Sequence, residues 1–168
     1  SVIFLLTSCG KTTPPSKGDV ISVNGRVYGG VQVTDELKWK QIVSLSSTST
    51  GDHFCTGTLI NPTRVVTAAH CLSLFKKKDP SAFIIKFTNG IKNLGEAKVI
   101  NYHSHPYFQM SNVKEATDNP LYDVAYIDIE ATDLSKKLGG MPILTKEDHK
   151  TFLKKGNPVH IVGFGMTD

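Results

Sequence analysis

The side chains best suited to chemistry are His70 and Cys71, which close the run Val65–Cys71, "VVTAAHC". An imidazole in that setting could take and return a proton near neutral pH, ligate a metal, or simply end a strand in water. As a base it needs a carboxylate to hold its tautomer and to stabilise the imidazolium that forms. Asp123, in "YDVAYIDI", directly precedes an apolar run, so its carboxylate would lie half-buried at the mouth of a strand. Asp118 falls in the polar stretch "EATDNP", Asp128 inside the strand itself and Asp52 in a turn. Asp123 is therefore the orienting candidate. A metal site would have to draw on His70, Cys71, His103 and His105. The "HSH" spacing puts two imidazoles on one side of a strand, but Pro106 follows and no Cys/His cluster has zinc-site spacing. No metal and no cofactor is expected.

A base of this kind could activate a hydroxyl. Ser73 follows the Cys71 loop, Ser104 sits between two histidines, and Ser111 lies in a polar loop. None has the glycine setting that exposes a hydroxyl and frees backbone amides for an oxyanion.

The elements that must position His70 and Asp123 read as strands. Short apolar runs recur between turn residues: Lys40–Ser47, His53–Ile60, Arg64–Ala69, Ala82–Phe87, Ala97–Tyr102, Val124–Ile129 and Pro158–Gly165. Asn61–Thr63, "NPT", is a turn, so the strands beside it form a hairpin that brings Cys55 back toward Cys71. Thr145–Lys155 carries a Thr N-cap and could form a short helix. Many short strands with turns between them argue an all-β antiparallel barrel or sandwich.

Composition bounds the rest. The 168 residues are 39% hydrophobic and 20% charged, ordinary for a globular domain. The net charge of +4 comes from short lysine runs without interleaved arginines and aromatics, so no nucleic-acid partner is expected. The N-terminal run Val2–Leu6 is too short to span a membrane. It looks like the tail of a secretory leader, and Leu6–Cys9 resembles a bacterial lipobox, in which the cysteine is lipidated. Gly10–Asp19 then reads as a polar tether. With Cys9 lipidated, the chain's 3 cysteines leave Cys55 and Cys71 as one pair in an oxidising compartment.

The stretch "HFCTGTLINPTRVVTAAHC" resembles the trypsin/chymotrypsin family of serine endopeptidases. Members carry a Cys-Gly-Gly-Ser/Thr-Leu-Ile strand leading into Thr-Ala-Ala-His-Cys. Cys55, Thr58, Leu59, Ile60, Thr67, Ala68, Ala69, His70 and Cys71 fall on that pattern in order. The resemblance implies a double antiparallel β-barrel, with the first barrel complete here and the second only begun. It also implies a Cys55–Cys71 disulfide holding the loop, His70 as general base and Asp123 as its carboxylate. "DVAYI" matches the family's Asp-Ile/Val-Ala-Leu with Tyr126 in place of Leu, and "HPYF" (His105–Phe108) resembles the stretch that precedes that Asp. Arg26 and Val27, in "NGRVYGG", resemble the zymogen cleavage site, with Tyr28 departing from the usual small apolar residue. "VHIVGFG" resembles the strand that opens the second barrel, with Phe164 where Trp is usual.

The expected layout is a leader remnant over residues 1–8, a lipid-anchored tether and propeptide over 9–26, and a protease domain over 27–168 that continues to a Gly-Asp-Ser-Gly-Gly motif. The expected activity is peptide-bond hydrolysis by a Ser-His-Asp triad in a monomer acting on protein or peptide substrates. The protein would be exported, and held on a bacterial membrane through Cys9 or secreted. The competing expectation is a catalytically inactive, protease-like binding lipoprotein.

Overall fold

The computed structural model describes residues 2–3, 33, 39–73, 75, 79–88, 92–109, 122–157 and 159–164. In chain order the elements are β1 (Val2–Ile3), β2 (Ile42–Ser47), β3 (His53–Asn61), β4 (Arg64–Thr67), the helical turn α1 (Ala69–Leu72), and a 3-10 turn at Pro80–Ala82. There follow β5 (Phe83–Thr88), β6 (Asn93–Ser104), β7 (Ala125–Ile129), α2 (Asp133–Leu138), α3 (Lys146–Phe152) and β8 (Val159–His160). Strands β2 to β7 close into an antiparallel barrel in the order β2-β3-β4-β7-β6-β5. This is the all-β barrel that the run of short strands led us to expect.

Alternation drives the closure. In β5 the inward residues Phe83, Ile85 and Phe87 are fully buried, and in β7 Ala125, Ile127 and Ile129 repeat the pattern. Val43 and Leu45 of β2, Leu59 of β3 and Val65 of β4 complete the interior. Each large side chain removed from water in this way contributes about 1.5–3 kcal/mol before chain entropy is counted. Gly57 of β3 keeps the packing possible. A Cβ there would lie 2.5 Å from Val65 Cγ1 and 3.0 Å from Leu45 Cδ1.

The register of β4 against β7 matters most for the site. Arg64 pairs with Asp128, Val65 with Ile127, Val66 with Tyr126 and Thr67 with Ala125. The residues just after β4 and just before β7 therefore meet at one end of the barrel. His70 follows β4, and Asp123 precedes β7.

Three expectations need correction. Arg64–Ala69 is not one strand: β4 stops at Thr67, and Ala69 begins α1. The alanines carry no β-branch to favour extension, and the disulfide and Asp123 hold the turn wound. Within the run Pro158–Gly165, the described residues 159–164 include β8 at Val159–His160, which pairs in parallel with β1. Along Ile161–Phe164 the described residues offer no partner ladder, and Ile161 is 55% exposed. β6 starts earlier than Ala97, at Asn93. Pairing with Phe87 and Thr88 overrides the poor strand propensity of "NLGE".

Thr145 does cap α3, with Asp148 completing a reciprocal capping box. α2 escaped the sequence reading because its capping partner of Thr132 is Ser135, not an acidic residue or its amide. Among the described residues no helix is long and apolar enough to cross a membrane.

Candidate active site

The site is built from the β4 exit outward. Ala68 occupies the N-cap position of α1 and has no side chain able to cap it. The exposed N–H groups of that turn need acceptors, and Asp123 supplies one from across the barrel mouth. Its Oδ1 accepts the His70 backbone N–H at 2.8 Å. Its Oδ2 meets His70 Nδ1 at 2.7 Å. One carboxylate thus fixes both the backbone and the ring of the same residue.

The tautomer follows from elementary donor counting. An ionised carboxylate can only accept, so the hydrogen sits on Nδ1 and the neutral ring keeps its lone pair on Nε2. Nε2 lies 3.7 Å from Cys71 Sγ, and no serine hydroxyl among the described residues is hydrogen-bonded to it. The His70 side chain is 33% exposed and that of Asp123 16%. The carboxylate is the more sheltered member, and the imidazole edge faces outward.

Cys71 anchors the turn from the other side. It is buried and bridged to Cys55 of β3, with Cα atoms 6.1 Å apart. Below it Leu72 joins the core, and Phe75 stacks on Phe83 at 5.0 Å, with Phe54 edge-on to both. A positioned base must not wander, and here disulfide, aromatic packing and carboxylate constrain the turn together.

The approach of Asp123 is equally specified. Tyr122 has φ 62°, in the left-handed region that an aromatic residue rarely adopts. The Val124 N–H donates to Tyr122 O at 2.7 Å, closing a tight turn around Asp123. Nothing in the sequence flagged this turn, which contains no glycine or asparagine.

The competing groups that the structure describes lie away from His70 Nε2 or are bonded to other atoms. Asp128 is paired with Arg64 at 2.8 Å on the outer face of the barrel. Asp52 is exposed in the β2–β3 turn, while Asp118 and Ser111 lie outside the described residues. The Ser73 hydroxyl donates to the His70 carbonyl at 2.6 Å, and Ser104 is exposed on β6. Cys55, His70 and Cys71 bring potential metal-ligating atoms within 4.8 Å of one another, but the two sulfurs are joined and offer no thiolate. Of the other imidazoles considered for a metal, His103 stacks on Tyr126 and His105 on Tyr122. Cys9, Arg26 and Val27 lie outside the described residues.

With this geometry in place, comparison with known proteins is direct. Residues 27–168 match the family model described as Trypsin. The chain belongs to the trypsin family. It is 31% identical over 160 residues to chymotrypsin-like elastase family member 1 of Felis catus, covering 90% of this chain and 55% of that protein. It is 47% identical over 66 residues to trypsin theta of Drosophila melanogaster, covering 39% of this chain and 24% of that protein. It is also 32% identical over 139 residues to Trypsin Tyr p 3.0101 of Tyrophagus putrescentiae, covering 79% and 47% respectively. The chain therefore spans about half the length of the elastases it matches.

Proposed function

We propose that the protein is a serine endopeptidase in which His70 acts as general base and then general acid, and Asp123 is its orienting carboxylate. The observation that carries this reading is the two-pronged grip of Asp123 on His70, at 2.8 and 2.7 Å, within a trypsin-family domain. Nε2 would take the proton of a serine hydroxyl as that oxygen attacks the peptide carbonyl. The same nitrogen would return the proton to the leaving amine, and water would repeat the cycle on the acyl-enzyme. Asp123 stays ionised throughout and stabilises the imidazolium. The serine and its oxyanion amides are expected from sequence beyond these 168 residues, since none of Ser73, Ser104 and Ser111 has the required setting.

Two finer readings go with it. The family match begins at Val27, directly after Arg26, which supports cleavage there as the maturation step. Cys9 would carry the lipid that tethers the exported protein to a bacterial membrane. An Arg26→Gln protein that matures normally would remove the first, and an unchanged membrane fraction for Cys9→Ser would remove the second.

The activity is tested on the product of the complete reading frame, assayed on chromogenic peptide amides. Hydrolysis that disappears in His70→Ala is expected. A folded wild-type protein with no hydrolysis of any such amide, and no labelling by a serine-directed fluorophosphonate, would instead make it a protease-like binding protein.

A further inference from the structure

The tight turn that presents Asp123 carries an unfavourable backbone, and something must hold it. Left-handed φ costs a residue with a Cβ free energy, and such conformations persist where surrounding contacts over-determine them. Backbone bonds hold one side: His105 N–H donates to Val124 O at 2.9 Å, prolonging the β6–β7 ladder past Ser104 and Ala125. Among the described residues a second hold is aromatic. The Tyr122 ring lies flat on the His105 ring, with centroids 4.7 Å apart and planes within 8°. Tyr107 closes edge-on against Tyr122 at 5.5 Å.

His105 is itself fixed. It opens a turn in which Phe108 N–H donates to His105 O at 2.9 Å, with Pro106 in the second position that its fixed φ favours. Tyr107 N–H points at His105 Nδ1 at 3.3 Å, which orients the ring. The exposed stack is thus built on a rigid corner, and Asp123 is the next residue along the chain.

We infer that Tyr122 is a positioning residue: its ring, seated on His105, holds the left-handed turn that aims the Asp123 carboxylate at His70. Its ring contacts are with His105 and Tyr107, so we assign its effect through Asp123, the next residue in the chain. The residue is 52% exposed, so its ring is held by the faces it stacks on and not by burial in the core.

The activity arm of the test rests on the endopeptidase reading, whereas the spectroscopic arm does not. Ring ¹⁵N NMR of the full chain reports which nitrogen of neutral His70 bears hydrogen, while thermal melting reports folding. Tyr122→Phe and His105→Phe, which keep a flat ring pair, are expected to retain the Nδ1–H form. Tyr122→Gly accepts the left-handed backbone without a Cβ but loses the ring. It is expected to remain folded and yet lose a large share of Nδ1–H, as is His105→Ala. In the complete gene product the same Tyr122→Gly change is expected to lower kcat by about 10- to 100-fold, with KM little altered. A folded Tyr122→Gly chain with wild-type tautomer and kcat would overturn the inference. If the wild type hydrolyses nothing, the endopeptidase reading fails, and the tautomer populations alone still decide the role of Tyr122.

Discussion

Strands β4 and β7 carry a carboxylate-to-nitrogen contact at each end, and the two contacts are built differently. At one end Arg64 and Asp128 face each other in register, 2.8 Å apart, with the guanidinium also 4.6 Å above the Tyr126 ring. The Arg64 side chain is exposed, at 44%, and that of Asp128 is half-buried, at 28%. Their geometry follows from strand pairing alone. At the other end His70 and Asp123 sit on segments that have left the ladder, and each is held by further structure: a disulfide, a half-buried aromatic cluster and a left-handed turn. A surface pair costs the fold little to make and returns little. The investment around His70 and Asp123 is what a site that must hold a proton acceptor in one orientation requires.

The sharpest break of this contrast is Asp123→Asn. An amide can present its NH2 to Nδ1 and select the wrong tautomer, and loss of the equivalent carboxylate interaction in such triads costs about 10⁴-fold in kcat. A fall of that size is expected in the complete gene product on peptide amides, and a variant within about tenfold of wild type would be far too active for the role assigned. Asp128→Asn, the mirror change, should leave kcat and KM unaltered.

Next in size is the disulfide. Converting both Cys55 and Cys71 to serine releases a loop of 16 residues, worth about 3 kcal/mol in the chain-entropy view. Chemical denaturation should show that loss, together with earlier hydrogen exchange in α1 than in β5. Equal stability of the two proteins would mean that aromatic packing and the Asp123 carboxylate hold the His70 turn without the bridge.

The Arg64–Asp128 pair is expected to be worth less than about 1 kcal/mol in a double-mutant cycle, and less again in high salt. A coupling well above that would show that the Tyr126 ring converts an exposed pair into a structural one.

The smallest effect concerns pH. Burial raises the Tyr102 phenol above its usual value, with a backbone hydrogen bond to Asp79 acting in the opposite direction and its charge adding to the rise. The folded state therefore holds that proton more tightly than the unfolded chain. The linked stability is complete below the ordinary phenol range and is lost as pH rises through the folded value. Ultraviolet titration should show one tyrosine ionising late, and Tyr102→Phe should remove that step.

Much of this was legible in the sequence because it depends on short-range patterns. The alternation in "FIIKF" and "AYIDI" encodes inward faces directly, and "TAAHC" with its upstream cysteine places His70 and its bridge. Asp123 could be chosen over Asp52, Asp118 and Asp128 by its place before an apolar run. What escaped depends on tertiary context. The winding of α1 from Ala69 answers to Asp123 and Cys55, both distant in sequence, and the left-handed Tyr122 shows no glycine or asparagine to announce it. The extension of β6 through Gly95 depends on a partner strand. Cys9 and the Arg26–Val27 junction were read from local motifs and stand on those motifs, with the Val27 start of the family match beside them.

The central claim is that Asp123 holds His70 with hydrogen on Nδ1 and a free lone pair on Nε2. Ring ¹⁵N spectroscopy of the folded chain, at a pH where His70 is neutral, reads that assignment without any substrate. The account predicts the Nδ1–H tautomer for His70 and its loss in Asp123→Asn; a neutral His70 with hydrogen on Nε2 would contradict it.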